Sequence, residues 1–254
     1  MASRFFKRTV LPALVAAAIC FGGFSPAKSA PAAEKPFSKS DVEQIIHDYI
    51  VNNPQIILNS VDDYQRKTLQ SHQGAALEKN KDFLFNDSSS PDAGNPDGDV
   101  TIVEFFDYNC VYCKNAFFDV QKLLEKDKKV RFVFKDSPVL GPTSEAAAKW
   151  ALAAQKQKKY FEYHKALMSN KTPLTDEVLE KIAAGLGLDV PQAKKDIEGA
   201  DILLQLEKNR ALAAGIGINS TPTFIVGDDM NPGAMNLEQM EKMVAGQRRK
   251  KEAK

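Results

Sequence analysis

The sequence predicts an α/β fold with a helical domain inserted into it and a two-helix extension ahead of it. Three observations carry that expectation. First, DVTIVEFFDYNCVYCKNAFFDVQKLLEK followed by VRFVFKD reads as strand, cysteine pair, helix, strand. Two strands joined through a helix run parallel. Second, the text from about Gly141 to Gly215 is helical in its apolar spacing, and TPTFIVGD then returns to strand. Third, two amphipathic segments between residues 37 and 80 precede a polar stretch dense in turn residues.

The 254 residues suit one large domain, or one domain with an appendage. Hydrophobic residues make up 43% and charged residues 26%, an ordinary globular balance that argues against extensive disorder. A formal charge of +1 gives no electrostatic footprint for nucleic acid, and none is expected as a partner.

Arg4, Lys7 and Arg8 form a positive start, and an apolar, alanine-rich run follows from Val10 to Phe24. Small residues come next, in SPAKSAPAA. That order matches a cleaved export signal over residues 1–29, with cleavage after Ser29 or after Ala32. A retained anchor is the alternative, for which the run is short. Residues 1–29 hold four basic side chains (Arg4, Lys7, Arg8, Lys28) and no acid, so cleavage takes the formal charge from +1 to −3. It also removes Cys20, leaving Cys110 and Cys113 in an oxidising, periplasm-like setting.

Ser40 and Glu43 are spaced as a capping box, and Val42, Ile45, Ile46, Tyr49 and Ile50 follow at helical spacing. Asn52–Pro54 breaks that helix and starts another, with Asn53 as cap and Pro54 in the first turn. Ile57, Leu58, Val61 and Tyr64 continue an apolar stripe. Such helices are too short to bury a core alone. They pack either on the main domain or against copies of themselves. NDSSSPDAGNPDG, residues 86–98, reads as a linker or long loop. In the helical insertion, Trp150 and Phe161 are expected to pack in the core. MNLEQMEKMVAGQ reads as a closing helix, and RRKKEAK, residues 248–254, as a solvated, frayed tail.

Cys110 and Cys113 are separated by two residues, which leaves three readings. A disulfide closing so short a loop restrains little of the unfolded chain, so a structural staple is a poor explanation. A structural zinc site needs four ligands. His47, His72 and His164 are scattered without ligand spacing and are expected on surfaces or helix faces, so no metal is expected. The redox reading has a mechanism. Between strand and helix, Cys110 stands at a helix N-terminus, where unpaired N–H groups and the helix dipole favour a thiolate. Cys113, one turn inward, is placed to attack the resulting mixed disulfide. Glu104 interrupts an apolar strand six residues before Cys110. On the buried face it is suited to passing a proton to or from Cys113; the alternative is a solvent-facing position at the strand end. Pro222, at the start of the strand in STPTFIVG, is a candidate for either a cis bond or an ordinary edge-strand proline.

VEFFDYNCVYC and GINSTPTFIVGD, with a helical region between them, resemble the thioredoxin superfamily, and within it the exported DsbA-like group. The resemblance covers about residues 84–247 and implies a thioredoxin-like fold. It makes Cys110 the attacking cysteine, Cys113 the resolving one and Glu104 the buried acid. It also makes Pro222 the family's cis-proline, with the backbone of Thr221 pairing with the substrate chain. Val111 and Tyr112 occupy the dipeptide that tunes the redox potential, and they depart from the Pro-His of DsbA itself. Residues 37–73 are similar to the N-terminal helical segment of ScsC-like proteins, in which it can mediate oligomerisation. Thr before the cis-proline is also similar to the isomerases DsbC and DsbG.

The expectation is therefore a periplasmic protein disulfide oxidoreductase, acting as isomerase, reductase or oxidase on cysteines of exported proteins. It needs no cofactor. It has a membrane redox partner and can form a homo-oligomer through residues 37–80. The domain plan is a signal at 1–29, a helical segment at 30–83, a DsbA-like domain at 84–247 with its insertion at about 141–215, and the tail. The alternative is a chaperone-like or copper-handling binding protein on the same scaffold, using the two thiolates for a soft metal.

Overall fold

The structure, a computed structural model, describes residues 36–253. The export signal expected at 1–29 lies outside the described residues. The chain divides into two compact units between Ile57 and Leu58.

In the first unit, α1 spans Lys39–Asn52. Its cap is Ser38, two residues before the expected Ser40. Ser38 Oγ accepts from the Asp41 N–H at 3.2 Å, and the Asp41 carboxylate accepts from the Ser38 N–H at 2.9 Å. The motif is a capping box, closed by Asp41 rather than Glu43, so the helix gains its first turn earlier. Val42, Ile45, Ile46, Tyr49 and Ile50 are all exposed. α2, Gln55–Lys79, starts directly after Pro54.

The second unit is built on a five-stranded sheet. Its strands are β1 (Asp92–Gly94), β2 (Val100–Phe106), β3 (Val130–Asp136), β4 (Thr223–Val226) and β5 (Asp229–Pro232), in the order β1-β3-β2-β4-β5. β2 and β3 are parallel, joined through α3 (Val111–Lys126), as the strand–helix–strand reading requires. β4 returns antiparallel to β2, placing Phe224 opposite Glu104. The turn-rich stretch at 86–98 is not wholly a loop. A π-helical turn at Asp82–Asn86 precedes it, and β1 within it pairs antiparallel with β3. β5 likewise escapes periodicity, since DMNP has no apolar alternation and pairs only because it follows a tight turn from β4.

Side chains alternate across the sheet. Ile102 and Phe106 of β2 face a larger core shared with Phe117 and Val120 of α3, whereas Val103 and Phe105 face a smaller one with Leu77, Leu84 and Leu212. The helical insertion comprises α4 (Pro142–Lys156), α5 (Tyr160–Ser169), α6 (Asp176–Gly185), α7 (Val190–Asp196) and α8 (Ala200–Gly215). Trp150 is buried, and half-buried Phe161 rests near Phe117 and Phe134, as core packing predicts.

α9 runs from Leu237 to Glu252, so the basic end is helical, not frayed. Arg248 explains it. Its guanidinium donates to Asp99 at 2.7 and 2.9 Å and to Asp127 at 2.7 and 3.1 Å. Two fork-shaped contacts tie α9 to the start of β2 and the end of α3.

Candidate active site

β2 ends at Phe106, and Asp107–Cys110 turns the chain into α3, closed by the Cys110 N–H donating to the Asp107 carbonyl at 3.1 Å. Cys110 is the N-cap. Its Sγ accepts from the Cys113 N–H at 3.4 Å, one of the orphan donors of the first helical turn. On its other side, Cys110 Sγ donates to the Thr221 carbonyl at 3.3 Å. The bond from Thr221 to Pro222 is cis. Pro222 leads into β4, and the pairing of β4 with β2 sets the cis-proline loop beside the start of α3.

The donors that reach Cys110 Sγ favour the charged sulfur, whereas the Thr221 carbonyl accepts the proton of its neutral form. Hydrogen bonding with the Cys113 thiol, then with the Cys113 N–H and the Thr221 side chain, draws the Cys110 thiol down to about 6 against its burial. Cys113 behaves oppositely. It is fully buried on the inner face of α3, with Ala116, Phe117 and Val120 at helical spacing. Burial, the hydrogen bond to Cys110 and the nearby Glu104 push its thiol far up. Both cysteines are free thiols.

Glu104 is 1% exposed. Neither of its carboxylate oxygens has a hydrogen-bond partner, and burial, reinforced by Cys110, raises its carboxyl well above the ordinary range. The buried position is therefore the observed one, and the solvent-facing alternative is not. Val111 and Tyr112, 66% and 69% exposed, project outward from the first turn of α3. The structure thus brings together Cys110, Cys113, Glu104, Thr221 and Pro222, and sets Val111 and Tyr112 at the rim.

Polar groups behind this cluster were not foreseen. His164 is wholly buried, on the inner face of α5, so of the surface and helix-face positions expected it takes the second. It lies among Phe106, Tyr108, Phe117, Phe134 and Tyr160, and burial holds its imidazole down at about 3, hence neutral. The buried face of α5 is Tyr160, Tyr163, His164, Leu167 and Met168. That helical spacing was the available signal. Tyr108 Oη meets His164 Nδ1 at 3.0 Å, and the Tyr160 hydroxyl donates to Asp136 at 3.0 Å. Asp136, at the end of β3, is buried with Oδ1 unpartnered, and burial lifts its carboxyl to about 7. Asp107 is also buried and accepts from four donors. Among the described residues, no group of three or more His, Cys, Asp or Glu is arranged to hold a metal ion.

A family model described as thioredoxin matches residues 87–245, and one described as the copper resistance protein ScsC N-terminal domain matches 39–70. Among solved structures, a thioredoxin-like oxidoreductase from Silicibacter pomeroyi DSS-3 is 42% identical, with a TM-score of 0.65, over 67% of this chain and 98% of that one. A linker-deletion mutant of Proteus mirabilis ScsC is 30% identical, with a TM-score of 0.67, over 87% of this chain and all of the other. Among curated proteins, the Na(+)/H(+) antiporter NhaA 3 of Salinispora tropica is 30% identical over 156 residues, 59% of this chain. The chain spans about a quarter (24%) of that relative's length.

Proposed function

The chain belongs to the DsbA-like thioredoxin superfamily, with an ScsC-like N-terminal helical segment, and on that premise we propose that it is an exported thiol–disulfide oxidoreductase working through Cys110 and Cys113. The observation that carries the proposal is the asymmetry of the two sulfurs. Cys110 is drawn down to about 6 at a helix N-terminus, and Cys113 is held protonated one turn inward beside Glu104.

In the reducing direction, the Cys110 thiolate attacks a substrate disulfide. A mixed disulfide forms, and one substrate sulfur leaves as a thiolate. Cys113 then attacks Cys110 Sγ, and its proton passes by way of the Glu104 carboxyl to the departing substrate sulfur. The Cys110–Cys113 disulfide forms, and the second substrate sulfur departs and is protonated. The substrate gains two electrons and the protein loses them. Oxidation of a substrate is the same sequence reversed, and isomerisation stops at the mixed disulfide and rearranges the substrate. Thr221, with its carbonyl already at the sulfur, is suited to pairing with the substrate backbone.

A thiol near 6 lies between the values characteristic of thioredoxin (about 7) and DsbA (about 3.5). The reduced form is therefore only moderately favoured, and isomerase or reductase is the reading we prefer over net oxidase. The exposed apolar stripe of α1 supports it, because such a stripe suits assembly with second copies of the chain. The positive, apolar and small-residue order of residues 1–29 supports export to the periplasm. The partners that follow are cysteine-bearing exported proteins and a membrane protein that resets the Cys110–Cys113 pair.

The test is reactivation of a scrambled disulfide protein with no added redox buffer beyond what reduces the pair. Recovery that depends on Cys110 supports isomerase. Oxidation of a reduced substrate without reactivation of a scrambled one would overturn it in favour of oxidase.

A further inference from the structure

The redox turn, Asp107–Cys110, is held from two sides. On one, the Asp107 carboxylate accepts from the N–H groups of Val139 and Leu140, in the loop before α4, at 2.8 and 2.9 Å. On the other, Tyr108 is fully buried in the larger core. There its hydroxyl meets His164 Nδ1 at 3.0 Å. Burial keeps the imidazole neutral, so the bond is uncharged. His164 belongs to α5, 56 residues further along the chain and inside the helical insertion. Asp136, at the end of β3, accepts from the Tyr160 hydroxyl at 3.0 Å, and its carboxyl also faces Tyr108. Phe106, Phe117 and Phe134 pack around the imidazole. Stability does not call for such a cluster. His164 Nε2 and Asp136 Oδ1 are buried without a partner among the described residues, and replacing a buried polar pair by apolar groups of the same shape is nearly neutral. The bond does, however, join the insertion to the turn two residues before Cys110. That turn delivers the Cys113 N–H to within 3.4 Å of Cys110 Sγ, a donor that favours the charged sulfur.

We propose that His164 is a positioning residue for the redox pair: through its hydrogen bond to Tyr108, the helical insertion holds the turn so that the Cys113 N–H stays aimed at the Cys110 sulfur. The inference rests on the thiol–disulfide reading above. In the Cys110–Cys113 disulfide, Cys110 Sγ carries no charge and gains less from that donor. The Tyr108–His164 bond therefore stabilises the dithiol form more than the disulfide, which makes the pair a stronger oxidant. A bond that only satisfied two buried atoms would act on stability and leave that balance alone.

The experiment equilibrates the full chain with glutathione and glutathione disulfide. Oxidised protein and two glutathiones give the dithiol and one glutathione disulfide, so two electrons and two protons move onto Cys110 and Cys113. The dithiol fraction gives the equilibrium constant, and urea midpoints give stability in parallel. Tyr108→Phe keeps the ring and removes the hydroxyl. His164→Leu removes the ring nitrogens, whereas His164→Asn returns a polar atom near the place of Nδ1. Tyr108→Phe and His164→Leu are each expected to shift the constant about threefold to tenfold toward the disulfide, the range of a neutral hydrogen bond. Each is also expected to raise the pH at which the Cys110 thiolate forms. The double variant Tyr108→Phe/His164→Leu is expected to shift the constant no further than either single one, because both lose the same bond. His164→Asn is expected to stay within about twofold of the unaltered chain while losing stability to its smaller side chain. An unchanged constant in folded Tyr108→Phe, or additive shifts in the double variant, overturns the proposal. So does a shift in His164→Asn equal to that of His164→Leu, which would trace the effect to lost packing. If His164→Leu does not fold, Tyr108→Phe and His164→Asn decide. If the unaltered chain does not exchange with glutathione at all, the functional reading itself fails.

Discussion

At the scale of single residues, two sulfurs three positions apart are held in opposite protonation states. Cys110 is drawn from 9.0 to about 6. Exchange begun by Cys110 should therefore rise as pH passes about 6 and level off above it, where an ordinary thiol would keep gaining until about 9. Stopped-flow reaction with a small disulfide across pH checks this. The same shift is a stability statement. A depressed thiol contributes stability that is fully present above its unfolded value of 9.0 and is lost as pH falls through about 6. The reduced protein should gain on the oxidised one between those limits, as paired denaturant curves would show. Glu104 has the opposite sign. Its carboxyl is raised by burial and has no partner, so it costs stability once pH exceeds the ordinary value of 4.5. Glu104→Leu should stabilise the fold at neutral pH by roughly 1–3 kcal/mol and slow the release of mixed disulfides by Cys113. Urea midpoints and trapped-intermediate lifetimes measure the two effects. Cys110, Cys113 and Glu104 were legible because a spacing and a carboxylate in an apolar strand each signal chemistry on their own. Asp107 was not, because an aspartate after a strand reads as a turn residue until the loop it holds is seen.

At the scale of elements, periodicity found those that bury an apolar face and missed those held by a few polar contacts. β2, β3 and β4 are rich in buried apolar residues, and α3 and the helical insertion follow a 3.6-residue spacing. β1 and β5 are three and four residues long and mostly exposed, so they leave no such trace. The last turns of α9 read as a charged tail because composition does not reveal that Asp99 and Asp127 converge on Arg248. Arg248→Ala should lower stability by about 1–2 kcal/mol, since the pair is partly exposed but doubly forked, and fray the last turns of α9, measurable by amide exchange. The contact between α5 and the end of β3 carries another dependence. Asp136 is lifted from 3.8 to about 7 by burial, despite the Tyr160 hydroxyl. A raised carboxyl contributes stability that is full below its unfolded value and is lost as pH rises through about 7. Asp136→Asn should flatten the fall in stability between pH 4 and 7, as thermal melts across that window would report.

At the scale of the molecule, the chain joins a unit whose apolar residues are exposed to one whose core is closed around a redox pair. The stripe of α1 was legible as amphipathic, but a sequence does not say what covers an apolar face. Assembly with second copies is the reading we propose, and Ile45→Asp/Ile46→Asp should reduce the mass in solution to that of a single chain while leaving glutathione exchange unchanged. Light scattering and the exchange assay test both parts. The claim beneath all of these is that Cys110 is the sulfur that meets the substrate. The most direct measurement is to mix Cys113→Ser protein with a disulfide-bearing peptide and identify the adduct by mass spectrometry, with Cys110→Ser alongside. A stable mixed disulfide on Cys110 is expected, with no exchange by Cys110→Ser. An adduct elsewhere, or full exchange without Cys110, would contradict it.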